Sequence, residues 1–276
     1  MLANYSTAAA PEEPANIRYH LLAFQHEGPV ATVTLDRPET GNRINGAMVA
    51  ELREVCRTIR KDEGVRVVIV TGAGSAFSAG RETPPADLAA GSQEELLGWI
   101  GRLQVGSCLA ELTVPVIAAV NGDAIDHGLE LALAADLRIA ADGANFGLTD
   151  LSRGGFPWDG GTQRLPRLVG PAWARDMILT GRIIGATQAL GLGLVNRVVK
   201  SEELLAQARQ LAESIVAGAP IAARYAKEAV HMGMDLTLSQ GLRLEADLNI
   251  LLHSTSDRAE GLQSFLERRS PGFTGR

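Results

Sequence analysis

The stretch Val116-Ile-Ala-Ala-Val-Asn-Gly-Asp-Ala-Ile-Asp-His-Gly-Leu-Glu-Leu-Ala-Leu-Ala-Ala-Asp136 decides the fold. Val116 to Val120 are small or β-branched and wholly apolar, the pattern of a buried strand. Asn121-Gly122-Asp123 breaks the run. From Gly128 onward the residues are good helix formers, which predicts a helix over 129–135. Glu130 is the exception in that helix, because Leu129, Leu131 and Leu133 leave little room for a polar face. A carboxylate in such surroundings is rarely buried unless paired, and burial shifts its pKa. Strand, glycine turn and helix N-terminus also aim unsatisfied backbone N–H groups at one point. The stretch therefore predicts an anion-stabilising turn beside a buried carboxylate. The plainer alternative is a strand-to-helix connection with Glu130 on a solvated stripe.

Working outward toward the N-terminus, Val67-Val-Ile-Val70 repeats the buried-strand pattern and Val30 to Leu35 alternates like a strand. Between them, Asn45 is placed to cap a helix whose apolar stripe is Met48, Leu52, Val55 and Ile59. Strand and helix alternate, which predicts an α/β fold with a covered sheet. Glu94 to Leu112 reads as one helix. Toward the C-terminus, Asp136 to Ala140 reads as a short strand, Asn145 to Gly161 as an irregular segment, Thr162 to Val169 as a helix, and Gly193 to Val199 as a last strand. From residue 201 the pattern turns all-helical, over 202–217, 219–232, 236–253 and 257–268. The expected division is a tail at 1–15, an α/β core at 16–200 and a helical region at 201–276.

Composition narrows the function. The chain has 276 residues, 46% hydrophobic and 21% charged, and a net charge of −6. These values fit an ordinary globular domain and argue against nucleic acid or an anionic membrane as the main partner. Cys56 and Cys108 form neither a disulfide framework nor a metal-binding pair, which fits a reducing, cytoplasmic setting. Met1 to Pro14 lacks the features of a secretory signal and reads as a flexible tail. None of the five histidines sits in a metal-binding spacing, so no metal site is expected.

The glycine-rich turn Thr71-Gly-Ala-Gly-Ser-Ala-Phe-Ser-Ala-Gly-Arg-Glu82 invites three readings. As a dinucleotide fingerprint it lacks the third glycine, because Phe77 stands there. As a nucleophile elbow around Ser78 it lacks the first glycine, because Ala76 stands there. The third reading is another backbone N–H site at Gly80-Arg81. The Pro/Ala/Gly loop after it, Thr83 to Ser92, is placed to cover a site. Asp150 and Asp159 are loop aspartates, ordinarily turn formers. Their interest comes from combination with Glu130.

Taken in order, several motifs resemble the enoyl-CoA hydratase/isomerase (crotonase) family. They are Asp36-Arg-Pro-Glu, Thr71 to Gly80, Pro115 to Gly122, Gly128 to Ala141, Phe146-Gly, Gly160-Gly-Thr-Gln-Arg-Leu-Pro-Arg-Leu-Val-Gly170, Gly191 to Val199 and Arg269-Ser-Pro-Gly-Phe-Thr-Gly275. The resemblance runs from about Asn16 to the C-terminus. It implies a crotonase-like spiral of ββα units, with an all-helical C-terminal domain used in trimer contacts and commonly a dimer of trimers. It implies that the backbone N–H groups of Arg81 and His127 hold a thioester oxygen, and that Glu130 and Asp150 are the acid–base pair. Hydration of a 2-enoyl-CoA thioester, as in fatty acid metabolism, follows, with coenzyme A as part of the substrate and no separate cofactor. Ser78 and Gly80 fall in the substrate-binding turn, and Arg43 is a candidate for the coenzyme A phosphates.

The departures open alternatives. Asp126-His127-Gly128 replaces the usual Gly-Gly-Gly, Asp150 replaces Glu, Arg81-Glu82 replaces Ala-Asp, and Trp158-Asp159 replaces small residues. A histidine at the turn and an aspartate before Gly-Gly also resemble the family's β-diketone hydrolases, such as 6-oxocamphor hydrolase. There His127 and Asp159 would act on an attacking water without coenzyme A. Isomerase and acyl-CoA hydrolase activities stay open within the first reading. Trp99, Phe156 and Trp158 suggest a pocket for a cyclic or aromatic acyl group, with walls from 84–99 and 156–158.

Overall fold

The structure is a computed structural model that describes residues 16–83 and 92–276. The expected tail at 1–15, and all but the ends of the loop 83–92, lie outside the described residues.

Two sheets share the strands. The larger runs β1 (Asn16–Arg18), β2 (Leu22–Glu27), β3 (Val30–Leu35), β4 (Val67–Gly72), β6 (Val116–Val120), β8 (Leu137–Ala141) and β11 (Arg197–Val199). The smaller runs β10 (Ile184–Gly185), β9 (Asn145–Gly147), β7 (Asp123–Ile125) and β5 (Ala76–Ser78). From β3 to β11 the large sheet is parallel, as expected for strands that are apolar on both faces. The chain spirals. It lays β4, β6 and β8 in the large sheet and follows each with a strand of the small one, β5, β7 and β9. Helices complete the turns: α2 (Gln93–Leu103) and α3 (Gly106–Ala110), then α4 (His127–Leu133), then α5 (Gly161–Thr180). The spiral of ββα units is the expected fold.

Close backbone approach sets the pitch of the spiral. A Cβ on Gly122 would lie 1.9 Å from the Ser75 carbonyl oxygen, and one on Gly128 would lie 2.2 Å from that of Ser78. Only glycine lets the second turn pack this closely on the first.

α1 (Gly46–Lys61) begins where the sequence places it. Asn45 is extended, and its Oδ1 accepts from the Met48 N–H at 2.9 Å. The stripe of Met48, Leu52, Val55 and Ile59 is buried. Asn45→Ala is expected to lower stability by about 1 kcal/mol in chemical denaturation.

Other boundaries moved for visible reasons. The single helix expected over 94–112 is two, α2 and α3. Asp159 Oδ2 accepts from the N–H groups of Val105 and Gly106 at 2.6 and 2.7 Å, which starts a new helix there. Arg53 takes the Gly101 and Gln104 carbonyls at the end of the old one. The helix expected to close at Val169 continues to Thr180, with a break at Gly170 (φ 80°). The last strand is confined to Arg197–Val199 because Gly193 (φ 77°) turns the chain first.

Four C-terminal helices are present, α7 (Leu204–Val216), α8 (Pro220–Gly233), α9 (Leu238–Leu252) and α10 (Ser256–Glu267). α7 buries Leu204, Ala208 and Ala212 in the core that also holds β4 and β6. α9 and α10 leave Leu238, Ile250, Phe265 and Leu266 exposed.

Candidate active site

Two turns meet where β5 and β7 lie side by side. In the first, Gly80 has φ +105°, and a Cβ there would lie 3.4 Å from the Ile125 carbonyl oxygen and 3.5 Å from Asp126 Cβ. Ser78 is fully buried, and its hydroxyl closes this turn on the Gly80 backbone. In the second turn, Asp126 has φ 49° and ψ −118°, a conformation that costs a non-glycine residue about 1–3 kcal/mol. Its carboxylate is held by Thr149 Oγ1 at 3.1 Å and by Arg153, which over-determines the turn. The backbone N–H groups of Arg81 and His127 make no hydrogen bond to any described residue. The two turns therefore carry two free donors on adjoining backbone.

Every residue of α4 is buried. At its C-terminal end Arg138 donates to the carbonyls of Ala132 and Ala135 at 3.3 and 2.6 Å. A cation there complements the negative end of the helix, and burial lowers the Arg138 pKa to about 10. At the other end is Glu130, with no exposed surface. Its Oε1 accepts from the Asp159 and Gly161 N–H groups, both at 2.9 Å. Its Oε2 lies 3.1 Å from His127 Nδ1 without a hydrogen-bond alignment. Burial is the main cause that pushes the Glu130 pKa up to about 7, against the pull of the two N–H donors. Burial, and then the nearby Arg81 cation, lower His127 to about 3, so the ring is neutral.

Asp150 opens a short 3-10 turn after β9 and is 1% exposed. Arg81 reaches it at 3.2 Å and Arg153 at 3.5 Å. Burial and the neighbouring Asp126 raise its pKa, while the two arginines oppose them. The guanidinium of Arg81 also lies 5.7 Å from the Trp99 ring centre and 5.5 Å from that of Trp158. The two indoles stack at 5.1 Å, and Trp158 stands 5.0 Å from the His127 ring. Arg81 Nε, both His127 nitrogens, Glu130 Oε2, Asp150 Oδ2 and Trp158 Nε1 are buried with no hydrogen-bond partner among the described residues. Buried polar atoms rarely go unpaired, and such a concentration marks a place where a ligand or water completes the set.

Glu130, Asp150, Arg81 and His127 thus come together as the sequence suggests. Asp159 does not join them as a base for His127. Its carboxylate is spent on the N–H groups that begin α3, and the carboxylate beside His127 is that of Glu130. Phe156 is 65% exposed and lies outside the aromatic stack. Arg43 lies on the outer side of the Gly80 turn, with its guanidinium on the Ala79 carbonyl at 3.0 Å. The pairing of Asp126 with Arg153 and the seat of Arg138 were not read from the sequence. Asp126 carries a signal, since a non-glycine residue in a glycine-rich turn asks for compensation.

A sequence profile of the enoyl-CoA hydratase/isomerase family matches residues 25–276. The chain belongs to this family. It is similar to a crotonyl-CoA hydratase of Syntrophomonas wolfei, at 36% identity over 92% of this chain and 98% of that one. It is likewise similar to an (E)-benzylidenesuccinyl-CoA hydratase of Thauera aromatica, at 39% identity over 89% and 96%. The crystal structure of an enoyl-CoA hydratase from Bacillus anthracis superposes with a TM-score of 0.88 at 38% identity, covering 93% of this chain and all of the other.

Proposed function

We propose that this chain is an enoyl-CoA hydratase, which adds water across the double bond of a 2-enoyl-CoA thioester. The observation that carries the reading is the buried pair of Glu130 and Asp150 beside two free backbone N–H groups. The N–H groups of Arg81 and His127 form the oxyanion hole. They hold the thioester oxygen as enolate charge develops on it, each worth on the order of 10²–10³ in rate.

The two carboxylates differ in surroundings, and that difference assigns their roles. Asp150 has two arginines to support its ionised form, so it accepts a proton from the attacking water. Among the described residues no cation is paired with Glu130, whose pKa is about 7, so its acid form delivers the proton to the α-carbon. Coenzyme A enters as part of the substrate, with Arg43 beside its phosphates, and the reaction needs no separate cofactor. A β-diketone hydrolase built on His127 and Asp159 is disfavoured by the engagement of Asp159 with Val105 and Gly106.

The stacked Trp99 and Trp158 favour a flat, unsaturated acyl group. The Thauera aromatica relative is named for an aromatic acyl thioester. The exposed apolar residues of α9 and α10 support trimers that pair into hexamers, with the helical region from 201 making the contacts. The free, buried Cys56 and Cys108 support a cytoplasmic enzyme, and fatty acid metabolism is the natural setting.

Loss of conjugated-thioester absorbance tests the reading. The expected result is turnover of crotonyl-CoA and faster turnover of cinnamoyl-CoA, with Trp158→Ala lowering the preference for cinnamoyl about tenfold. No turnover of either, together with cleavage of a cyclic β-diketone in the absence of coenzyme A, would overturn it. Activity confined to short linear acyl groups would remove the aromatic pocket alone.

A further inference from the structure

Glu130 has two oxygens in unlike positions. Oε1 is saturated by two backbone N–H groups. Oε2 has His127 Nδ1 at 3.1 Å, within reach though not aligned as a hydrogen bond, and neither atom has a hydrogen-bond partner among the described residues. Position 127 needs only a backbone N–H to serve the oxyanion hole, and glycine supplies that. The imidazole is extra, it is fully buried, and three residues of helix bring it onto the carboxyl.

We propose that His127 is the positioning residue for Glu130, whose ring partners Oε2 in both charge states of the carboxyl by changing tautomer. With the acid, Oε2–H donates to Nδ1 and the ring hydrogen sits on Nε2. With the anion, the ring hydrogen sits on Nδ1 and donates to Oε2. In passing from the first state to the second as the pH rises, the carboxyl proton moves to Nδ1 and Nε2 gives one up to water. A single proton is lost overall, and the ring holds one hydrogen before and after. Oε2 therefore keeps Nδ1 as its partner in both charge states of the carboxyl.

The surroundings keep the ring neutral. Burial and the Arg81 cation both disfavour an imidazolium. On the carboxyl side, Asp159 and Asp150 oppose ionisation of Glu130, while the N–H groups of Asp159 and Gly161 support it. Asp159 itself faces Arg164 and Arg53. Trp158 covers the ring with an indole, which carries no charge. A neutral histidine beside a carboxyl that titrates near neutrality has only its tautomer to change.

The proposal concerns the acid of the proposed hydration, but its first test does not need turnover. The ring nitrogens of full-length protein labelled with 15N-histidine are followed by NMR from about pH 5 to about pH 9. His127→Asn assigns the signals. The expected result is that Nδ1 and Nε2 exchange their protonated and unprotonated character with a midpoint of about 7, with no imidazolium formed. In Glu130→Gln the amide donates to Nδ1, and the tautomer stays fixed. A tautomer that does not change in the wild-type protein, or a ring that becomes imidazolium in that range, overturns the proposal.

The second arm is kinetic. His127→Gly keeps the backbone N–H and removes the ring. It is expected to lower kcat about tenfold or more, with KM little changed and the kcat–pH profile displaced. His127→Asn, which can both donate and accept, recovers part of the loss. A ring that only fills space would leave the profile in place. Should the wild-type protein hydrate no enoyl-CoA, the hydratase reading falls while the NMR result still decides the pairing.

Discussion

Glu130→Gln is expected to lower kcat for enoyl-CoA hydration by about 10³-fold or more, while a saturated acyl-CoA binds with unchanged Kd. General acid–base catalysis contributes about 10²–10⁴ in rate, and Gln can neither give nor take the proton. Binding survives because the Gln carbonyl can still accept from the Asp159 and Gly161 N–H groups that now hold Oε1. Stopped-flow absorbance and calorimetric titration measure the two quantities. Retention of more than about a tenth of the rate would take Glu130 out of the acid role.

The same variant has a stability signature. Glu130 is raised from 4.5 in the unfolded chain to about 7 in the folded one. The folded state therefore binds the proton more tightly. The contribution is fully present below about pH 4.5 and is lost as pH rises through about 7. Gln carries no such dependence. Relative to wild type, the variant should gain stability between those limits, on the order of 3 kcal/mol. Urea unfolding at the two ends of the range reads the difference, and parallel curves would show that the carboxyl is not held protonated by burial.

Gly128→Ala, like Gly122→Ala, is expected to be among the most damaging single methyl additions in the chain's α/β region. At Gly128 the added carbon would meet the Ser78 carbonyl oxygen at 2.2 Å and the Ser78 carbonyl carbon at 2.9 Å. Both belong to backbone, and Ser78 is fixed by its pairing with Ala124, so neither side yields cheaply. Overpacking costs about 1–3 kcal/mol where side chains can shift, and a backbone clash exceeds that. The turn carrying His127 must then draw away from the turn carrying Arg81, and activity falls with stability. Gly101→Ala is the comparison. It lies inside α2 with no atom of the described residues outside the helix backbone within 4 Å of its Cβ position, and it should gain up to about 1 kcal/mol from helix propensity. Thermal melts of the two variants separate a glycine required by contact from one that is merely present. A Gly128→Ala protein as stable as wild type would mean that the two turns are not locked together.

Much of this was legible along the chain because it depends on neighbours in sequence. Val116 to Val120 declares a buried strand by having no polar residue at all, and Glu130 declares itself by being the polar exception in an apolar helix. Asn45 could be read as a cap because the partner N–H lies three residues away. What stayed hidden depends on residues far apart. The break between α2 and α3 is made by Asp159, more than fifty residues downstream of the N–H groups it accepts from. The same engagement turns the Asp159 carboxylate away from His127, though the residue lies close to Glu130. Arg138, near the start of β8, folds back to hold the carbonyls that end α4. The contact of His127 with Glu130 lies within one helical turn and was open to inference.

Asp159 is best understood as a tie rod. At one end its carboxylate grips the start of α3, next to α2, which carries Trp99. At the other end its backbone N–H grips Oε1 of Glu130. On the proposed function, the wall meant for the acyl group and the acid that protonates it are thus fastened to opposite ends of one residue. A substrate that seats badly against the wall strains the donor's alignment as well as its own binding. Discrimination between acyl groups then registers in the speed of turnover and not in affinity alone.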